Sequence, residues 1–307
     1  MKYLDPKADL TFKKVFGEHP DLVISLLNAL LPFETSEDEI KEVEYLPAEL
    51  VPETPLRKNS IVDVRCRDGL GRQFIVEMQM VWSPEFEQRV LFNAAKAYVR
   101  QIDAGEEYHL LEPVYSLNLV NEVFESKLPE YYHYYRMVHV EHTDRVIDGL
   151  HLVFVELPKF TPHTFTEKKM QVLWLRYLTE INEKTNKVPE DLLANPDIRK
   201  AVTQIEESAF SPSQLYSYEQ FWDLISVEKT LFNSGKREGI AEGIAVGKAE
   251  GIAEGIARGI VKGKAEGRAE GEHNKQIEIA REMKKFGLAL PDIAKLTGLA
   301  EQEIVCL

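Results

Sequence analysis

Cysteine is scarce in this sequence, and so are the marks of exported and membrane proteins. Its two cysteines, Cys66 and Cys306, lie far apart, which excludes a disulfide framework or a cysteine-rich metal site. The N-terminus is charged from its second residue and lacks the apolar segment of a secretory signal. No apolar run approaches the ~20 residues that cross a bilayer. These absences predict a cytoplasmic protein.

Positive charge is also in short supply. With 37 Lys and Arg against 51 Asp and Glu, the chain has a formal net charge of −14. Because phosphate contacts need local positive charge, this balance argues mildly against a nucleic-acid partner. A small basic face can coexist with an acidic whole, and carboxylates that hold a cation add negative charge of their own. The total charge therefore lowers the expectation of nucleic-acid binding without excluding it.

The hydrophobic pattern predicts helices and strands in mixed order over the first two thirds of the chain. A helix within Phe12–Leu31 would be capped by Asp21 and stopped by Pro32. Two clear strands, Ser60–Arg67 and Gln73–Met80, flank a turn typical of a hairpin. Further strands are predicted over 42–50 (interrupted by Pro47), 113–120, 131–142 and 150–157, and a helical region over 166–232.

The hairpin has one register that makes hydrophobic sense. With a bulged loop of Gly69, Leu70 and Gly71, cross-strand partners have residue numbers that sum to 140. Val62, Val64 and Cys66 then share an apolar face with Met78, Val76 and Phe74, and a slip of one residue would break this face. The other face has Asp63 opposite Glu77, with Gln79 opposite Ile61.

Two carboxylates across such a pair would repel each other unless a cation lay between them. Their β-carbons would be roughly 5 Å apart. Mg²⁺ suits this arrangement, because it takes one or two carboxylates, keeps several waters and bridges to phosphate. Such a metal could activate water for phosphodiester hydrolysis. The alternative is a solvated sheet face on which Arg65 or Arg72 accompanies a chance Asp–Glu pair.

Several stretches resemble the recombination-promoting nucleases and the PD-(D/E)XK nuclease family transposases. They are DLTFKKVFG (9–17), KNSIVDVRCRDGLGRQFIVEMQM (58–80), residues 87–120 and the glycine repeat described below. The resemblance implies an α/β fold with a mixed sheet, a restriction-endonuclease-like PD-(D/E)XK core and a C-terminal helical region. It also implies a Mg²⁺-dependent DNA endonuclease with catalytic Asp63, Glu77 and Gln79, whose metal ligands would be Asp63, Glu77 and the carbonyl of Met78.

Gln79 occupies the position where the superfamily usually has lysine. Glutamine has no charge and is not a general base at neutral pH, but it could orient water or a phosphate oxygen. The source of the missing positive charge is open at this point. Lys13 and Lys14, beside Phe12 and Phe16, are a weaker signal, because such lysines are more often surface residues and such phenylalanines core.

A long helix is expected after the hairpin, with Ser83 as its N-cap and Gly105 at its C-terminus. Its predicted buried stripe comprises Phe86, Val90, Leu91, Ala94, Tyr98 and Ile102. The opposite face would carry Arg89, Asn93, Lys96 and Arg100, spaced by four, three and four residues. This stripe would either bind double-stranded DNA through its backbone or be an ordinary solvated face.

Beyond the strands, glycine recurs every four residues from Gly235 to Gly271, which accounts for ten of the 17 glycines. Because each glycine costs a helix about 1 kcal/mol relative to alanine, a lone helix here would be marginal. The repeat could be a flexible spacer, a helix that pairs closely with a second copy in a homodimer, or an expanded repeat with no dedicated role. The tail beyond Gln276 is expected to form short helices with turns at Gly287 and Gly298.

The sequence therefore predicts four regions. These are a nuclease-like domain (1–165), a helical extension (166–234), the glycine repeat as linker or pairing helix (235–271) and a small helical tail (272–307). The alternative to a DNA-cutting enzyme is a catalytically silent nuclease-fold protein that binds DNA or a protein partner.

Overall fold

The computed structural model describes residues 2–33, 35–50, 60–162 and 169–307. The chain forms two compact units, Met1–Thr230 and Leu231–Leu307. Within those described ranges, no helix is both long and apolar enough to span a lipid bilayer.

The first unit is built around a mixed six-stranded sheet and a separate two-stranded ladder. The strands are β1 (Val43–Tyr45), β2 (Glu49–Leu50), β3 (Ser60–Ile61), β4 (Val64–Asp68), β5 (Gln73–Gln79), β6 (Val114–Val120), β7 (Tyr132–Val138) and β8 (Val146–Glu156). The large sheet has the order β1-β4-β5-β6-β8-β7, and β2 pairs with β3. The neighbours β5, β6 and β8 are parallel, whereas the other pairs are antiparallel. The predicted mixed α/β fold is confirmed.

Helices precede, interrupt and follow the strands. The described helices are α1 (Asp9–Phe12), a π-helical turn (Lys13–Gly17), α2 (Pro20–Leu30), α3 (Pro84–Val99), α4 (Lys169–Glu180), α5 (Glu190–Leu193), α6 (Pro196–Gln204), α7 (Pro212–Lys285), α8 (Leu290–Thr297) and α9 (Glu301–Val305). Short 3₁₀ turns occur at Tyr108–Leu110, Leu157–Lys159 and Glu207–Ala209.

The large sheet is covered on both faces because its central strands are apolar on both sides. Side chains alternate between the faces of a strand. Phe74 of β5 lies in the main core with Leu26 of α2 and Trp174 of α4. Ile75 points to the other face, where it packs in a smaller core with Ala94 of α3. Helix α3 therefore covers the face that carries Ile75 and, two residues later, Glu77.

The predicted register is confirmed in the half of the hairpin that adjoins its loop. Val64 pairs with Val76 and Cys66 with Phe74, so partner numbers sum to 140. The backbone amide of Asp68 donates to the carbonyl of Arg72 at 3.1 Å. In the loop, Gly71 has a φ of 90°, a left-handed conformation that glycine adopts at little cost.

The outer half departs from the prediction, because the strand breaks at Val62 and Asp63. Ile61 pairs with Glu49 of β2 rather than facing Gln79. Val62 packs with Ile75 on the α3 side, not on the face of Val64. The expected ladder pairing of Asp63 with Glu77 is therefore not formed. The physical reason is a competing partner: Pro47 separates β2 from β1, and residues 60–62 bend away from β5 to bond with β2.

Two helix boundaries in the structure also differ from the predicted ones. Asp21 lies in the first turn of α2 instead of capping it, since Pro20 begins the helix, and its carboxylate binds Lys200 at 2.6 Å. Helix α3 ends at Val99, and Gly105 adopts its φ of 97° in a later turn.

The buried face of α3 is rotated relative to the prediction. Its buried residues are Phe86, Val90, Asn93, Ala94 and Ala97, whereas Leu91 is 45% exposed. Asn93 and Ala97 replace Leu91 on the buried face because the helix lies over polar as well as apolar residues of the sheet. Asn93, predicted to face solvent, is fully buried.

The second unit consists of the rest of α7 with α8 and α9. The glycine repeat is helical throughout, and a methyl group added at any glycine from Gly235 to Gly271 would meet no described atom within 4 Å. At the end of the chain, Ala280 of α7 packs with Ile293, Leu299 and Ile304. The expected turns are present, because Gly287 and Gly298 have positive φ values of 81° and 75°.

Candidate active site

Glu77 lies near the end of β5, where the sheet passes under α3. Its neighbour in the parallel ladder is Asn118 of β6. The side chain is only 5% exposed, and the amide Nδ2 of Asn93 donates to its Oε1 at 3.0 Å. The guanidinium of Arg89, one turn earlier on α3, lies 3.6 Å from Oε2. Helix α3 thus positions the carboxylate with one hydrogen-bond donor, Asn93, and one nearby cation, Arg89.

Asp63 reaches the same place from the bend between β3 and β4. Its Oδ2 accepts a hydrogen bond from the backbone amide of Met78 at 2.8 Å. The side chain thus occupies the position of a backbone acceptor beyond the end of the β4 ladder. Because Met78 follows Glu77 directly, this bond brings the second carboxylate beside the first. Asp63 therefore lies next to the part of β5 that carries Glu77 and acts on it electrostatically, although a side-chain bond and not a ladder pair holds it there.

Burial raises the pKa of both carboxyl groups. For Asp63 the pKa rises to about 6, since burial outweighs the amide of Met78 and the cations Lys13 and Arg89. The pKa of Glu77 is also raised by burial and by the charge of Asp63, against the hydrogen bond from Asn93 and the charge of Arg89. A cation bound between the two groups would favour the ionised form of each.

Gln79 and Arg89 form a pair at the edge of this site. The Nη2 of Arg89 donates to Oε1 of Gln79 at 2.6 Å, while Nε2 of Gln79 donates to the carbonyl of Val81. Arg89 therefore contacts both Gln79 and Glu77. Arg89 thus brings a positive charge next to Gln79, the residue at the position where the resemblance implies a lysine.

A second cation, Lys13 of the N-terminal segment, acts on Asp63. Lys13 lowers the pKa of Asp63 electrostatically, and Asp9 raises it. Lys13 and Asp9 form an ion pair at 2.6 Å, and the π-helical turn that begins at Lys13 packs on β4. Sequence reasoning gave Lys13 little weight and missed Asp9. The available signal was the spacing of four within DLTFKKVFG, which pairs the two side chains on one helical turn.

The donor atoms fit a hydrated divalent ion. The part of the chain that the structure describes has no cluster of three or more His, Cys, Asp or Glu side chains arranged for a metal. Two carboxylates suffice for Mg²⁺, because it keeps several waters as ligands. The Oδ1 of Asn93, beside Glu77, is buried and has no hydrogen-bond partner among the described residues. Such an acceptor is commonly satisfied by an ordered water.

The stripe predicted to bind DNA does not lie opposite the buried face of α3. Arg89 and Asn93 contact the carboxylate site, as described above. Lys96 donates to the carbonyl of Leu50 and Arg100 is partly buried. The predicted solvent-facing stripe is therefore formed only in part, because Arg89 is exposed, Lys96 and Arg100 are partly buried, and Asn93 is fully buried.

Comparison with known protein families gives a match over most of the chain. The family model of the PD-(D/E)XK nuclease family transposases matches residues 6–226. This span includes Asp9, Lys13, Asp63, Glu77 and Arg89 and the whole of the six-stranded sheet. No curated protein and no solved structure matches significantly. Since the family model covers most of the sequence and the fold agrees with it, the chain belongs to the PD-(D/E)XK nuclease family transposases.

Proposed function

We propose that this chain is a Mg²⁺-dependent endonuclease that hydrolyses phosphodiester bonds in double-stranded DNA, within a transposase-like or recombination-promoting role. Family membership supports a nuclease that uses a divalent ion. The observation that carries the finer proposal is the bond from the amide of Met78 to Asp63, which holds that carboxylate beside Glu77.

Asp63 and Glu77 would hold the metal, together with the carbonyl of Met78. When bound, Mg²⁺ would supply an activated water and stabilise charge on the leaving oxygen. Although burial raises the pKa of Asp63 to about 6, most of the carboxyl group is ionised at neutral pH, and a bound cation would favour the ionised form further. Asn93 fixes Glu77 through Oε1, which leaves Oε2 directed toward Arg89.

Arg89 supplies the positive charge that lysine would otherwise provide. A guanidinium 3.6 Å from Glu77 and bonded to Gln79 can bind a non-bridging oxygen of the scissile phosphate. Gln79 then acts as a positioning residue for Arg89, since an uncharged amide cannot take the proton of the attacking water at neutral pH. Lys13, whose charge acts on Asp63, would add a second positive charge near the phosphate.

The test is cleavage of supercoiled plasmid by the full-length chain. A closed circle has no ends, so conversion to nicked or linear DNA requires an endonuclease. We expect nicking with Mg²⁺ and none with EDTA. An intact plasmid under both conditions, with folded protein and Mn²⁺ also tried, would favour the silent nuclease-fold alternative.

A further inference from the structure

A second group of cations lies further along the α3 face of the sheet. Arg65 of β4 pairs with Ile75, whose side chain packs on Ala94 of α3, so Arg65 points to the α3 side. Lys96 and Arg100 project from the same edge of α3. We call Arg65, Lys96 and Arg100 the basic cluster. Arg100 follows Lys96 by one helical turn at the end of α3, and its charge acts on both Lys96 and Arg65.

The guanidinium groups of the basic cluster have no carboxylate partner among the described residues. Arg65 donates to Oε1 of Gln73 at 2.8 Å and to the carbonyl of Pro47 at 3.5 Å, both neutral acceptors. Its buried Nε has no hydrogen-bond partner in the described ranges. Arg100 forms no ion pair with a described side chain. In a chain with a net charge of −14, such unneutralised cations stand out.

The guanidinium groups of Arg65 and Arg100 repel each other, so grouping them is unfavourable in the absence of an anion. Burial, followed by the charges of Arg100 and Arg67, lowers the pKa of Arg65. Burial and Arg100 likewise lower the pKa of Lys96. Arginine pairs geometrically with phosphate through two parallel N–H donors, so a phosphate would relieve the repulsion and satisfy the free donor of Arg65.

The spacing relates the basic cluster to the carboxylates. Asn93, which binds Glu77, and Arg100 are seven residues apart on one helix, which corresponds to roughly 10 Å along its axis. A DNA strand that runs along α3 would advance about 3.4 Å per nucleotide, which would place the cluster about three nucleotides from the site of cutting.

We propose that Arg65, Lys96 and Arg100 bind one backbone phosphate about three nucleotides from the scissile bond, so that efficient cutting requires DNA that extends past this position on one side. The inference rests on the proposed function for its account of cutting, but the binding it describes can be measured without cleavage.

The first experiment measures binding of a fluorescein-labelled duplex by anisotropy in EDTA, over a range of salt concentrations. The variant Arg65→Gln/Arg100→Gln should bind about tenfold more weakly, and the slope of log K against log salt should flatten by about 0.9 for each phosphate that the variant no longer neutralises. Arg65→Lys/Arg100→Lys, which keeps both charges, should recover most of the affinity. Lys184→Gln/Lys187→Gln removes two charges from an exposed loop and serves as the matched control.

The second experiment locates the bound phosphate. Duplexes with a single neutral methylphosphonate are compared at successive positions on either side of the cut. Wild-type protein should lose affinity, by about the same factor as the glutamine variant, when the neutral linkage lies about three nucleotides from the cut on one side. The glutamine variant should be insensitive at that position, because the partner of the phosphate is already gone.

The outcomes separate the two proposals. Binding that depends on the basic cluster without nicking in Mg²⁺ would refute the nuclease and keep the phosphate site. The opposite outcome is that wild type nicks the plasmid while Arg65→Gln/Arg100→Gln binds DNA as tightly as the exposed-loop control. That outcome would refute the phosphate site and keep the nuclease. Circular dichroism melts of each variant check that weaker binding does not reflect unfolding.

Discussion

The position of Asp63 depends on a single backbone amide. The N–H of Met78 lies beyond the paired part of β4, and the Asp63 carboxylate accepts its hydrogen bond. Asparagine could accept the same bond without a charge. The Asp63→Asn substitution therefore separates the role of the carboxylate in holding the bend from its role as a metal ligand.

The burial of Asp63 predicts a pH-dependent effect on stability. Its pKa is about 6 in the folded protein and 3.8 in an unperturbed side chain. The fold favours the protonated form, so this group's stabilising contribution is present below about pH 4 and is lost as pH rises through about 6. In EDTA, Asp63→Asn should therefore melt at a higher temperature than wild type at about pH 8, and the difference should vanish near pH 4.

Asp144→Asn, at an exposed position in the turn between β7 and β8, is the control for this experiment. It should leave the melting temperature unchanged at both pH values. If Asp63→Asn melted below wild type at the higher pH, the metal-free carboxylate would be stabilising in its ionised form, contrary to the burial argument.

The contact between Arg89 and Gln79 predicts the effect of moving the positive charge from position 89 to position 79. Gln79→Lys alone would set two cations side by side and should slow nicking about tenfold, because the repulsion would displace Arg89 from Glu77. Gln79→Lys/Arg89→Gln restores one cation and one amide and should recover most of that loss. Nicking rates at saturating DNA provide the measurement. A double variant slower than both single variants would show that the position of the charge matters as much as its presence.

At the level of whole elements, the sequence predicted the part of the hairpin next to its loop, but not the break at Val62 and Asp63. Alternating apolar residues and two loop glycines determine the register from Val64 to Arg67, because any other register buries polar side chains. The break at Val62 results from pairing with β2, a partner distant in sequence that local alternation does not reveal. The same limit applies to α3, where only the packed structure shows that Asn93 is buried against Glu77.

The glycines of helix α7 lower its stability, and a methyl group added at any of them would meet no described atom within 4 Å. Replacing Gly243, Gly247, Gly251 and Gly255 with alanine should stabilise the helix by up to about 1 kcal/mol per position. Circular dichroism should therefore show greater helicity. If the repeat pairs two copies through its glycine groove, the added methyl groups should also weaken the dimer, as measured by sedimentation velocity. Association of wild type and variant that is equal at every concentration would rule out pairing through the glycines.

For the molecule as a whole, local charge matters more than total charge. The net charge of −14 argued against DNA, but the face of the sheet under α3 gathers Arg89, the basic cluster and the two carboxylates. The sequence identified Asp63, Glu77 and Gln79, because they are close in the chain. It did not identify Asp9, which acts on Asp63 from the distant N-terminal segment, and it named Arg65 only as a companion of a chance Asp–Glu pair.

In the proposed mechanism, Asp63 and Glu77 together hold the metal ion that is needed to cut DNA. Its most direct test compares Mg²⁺-dependent nicking of supercoiled plasmid by wild type, Asp63→Ala, Glu77→Ala and the exposed control Asp144→Ala. We expect wild type and control to nick at equal rates, and the other two variants to lose about 100-fold or more while remaining folded, because each lacks a metal ligand. Nicking at the wild-type rate by either folded Asp63 or Glu77 variant would contradict the account.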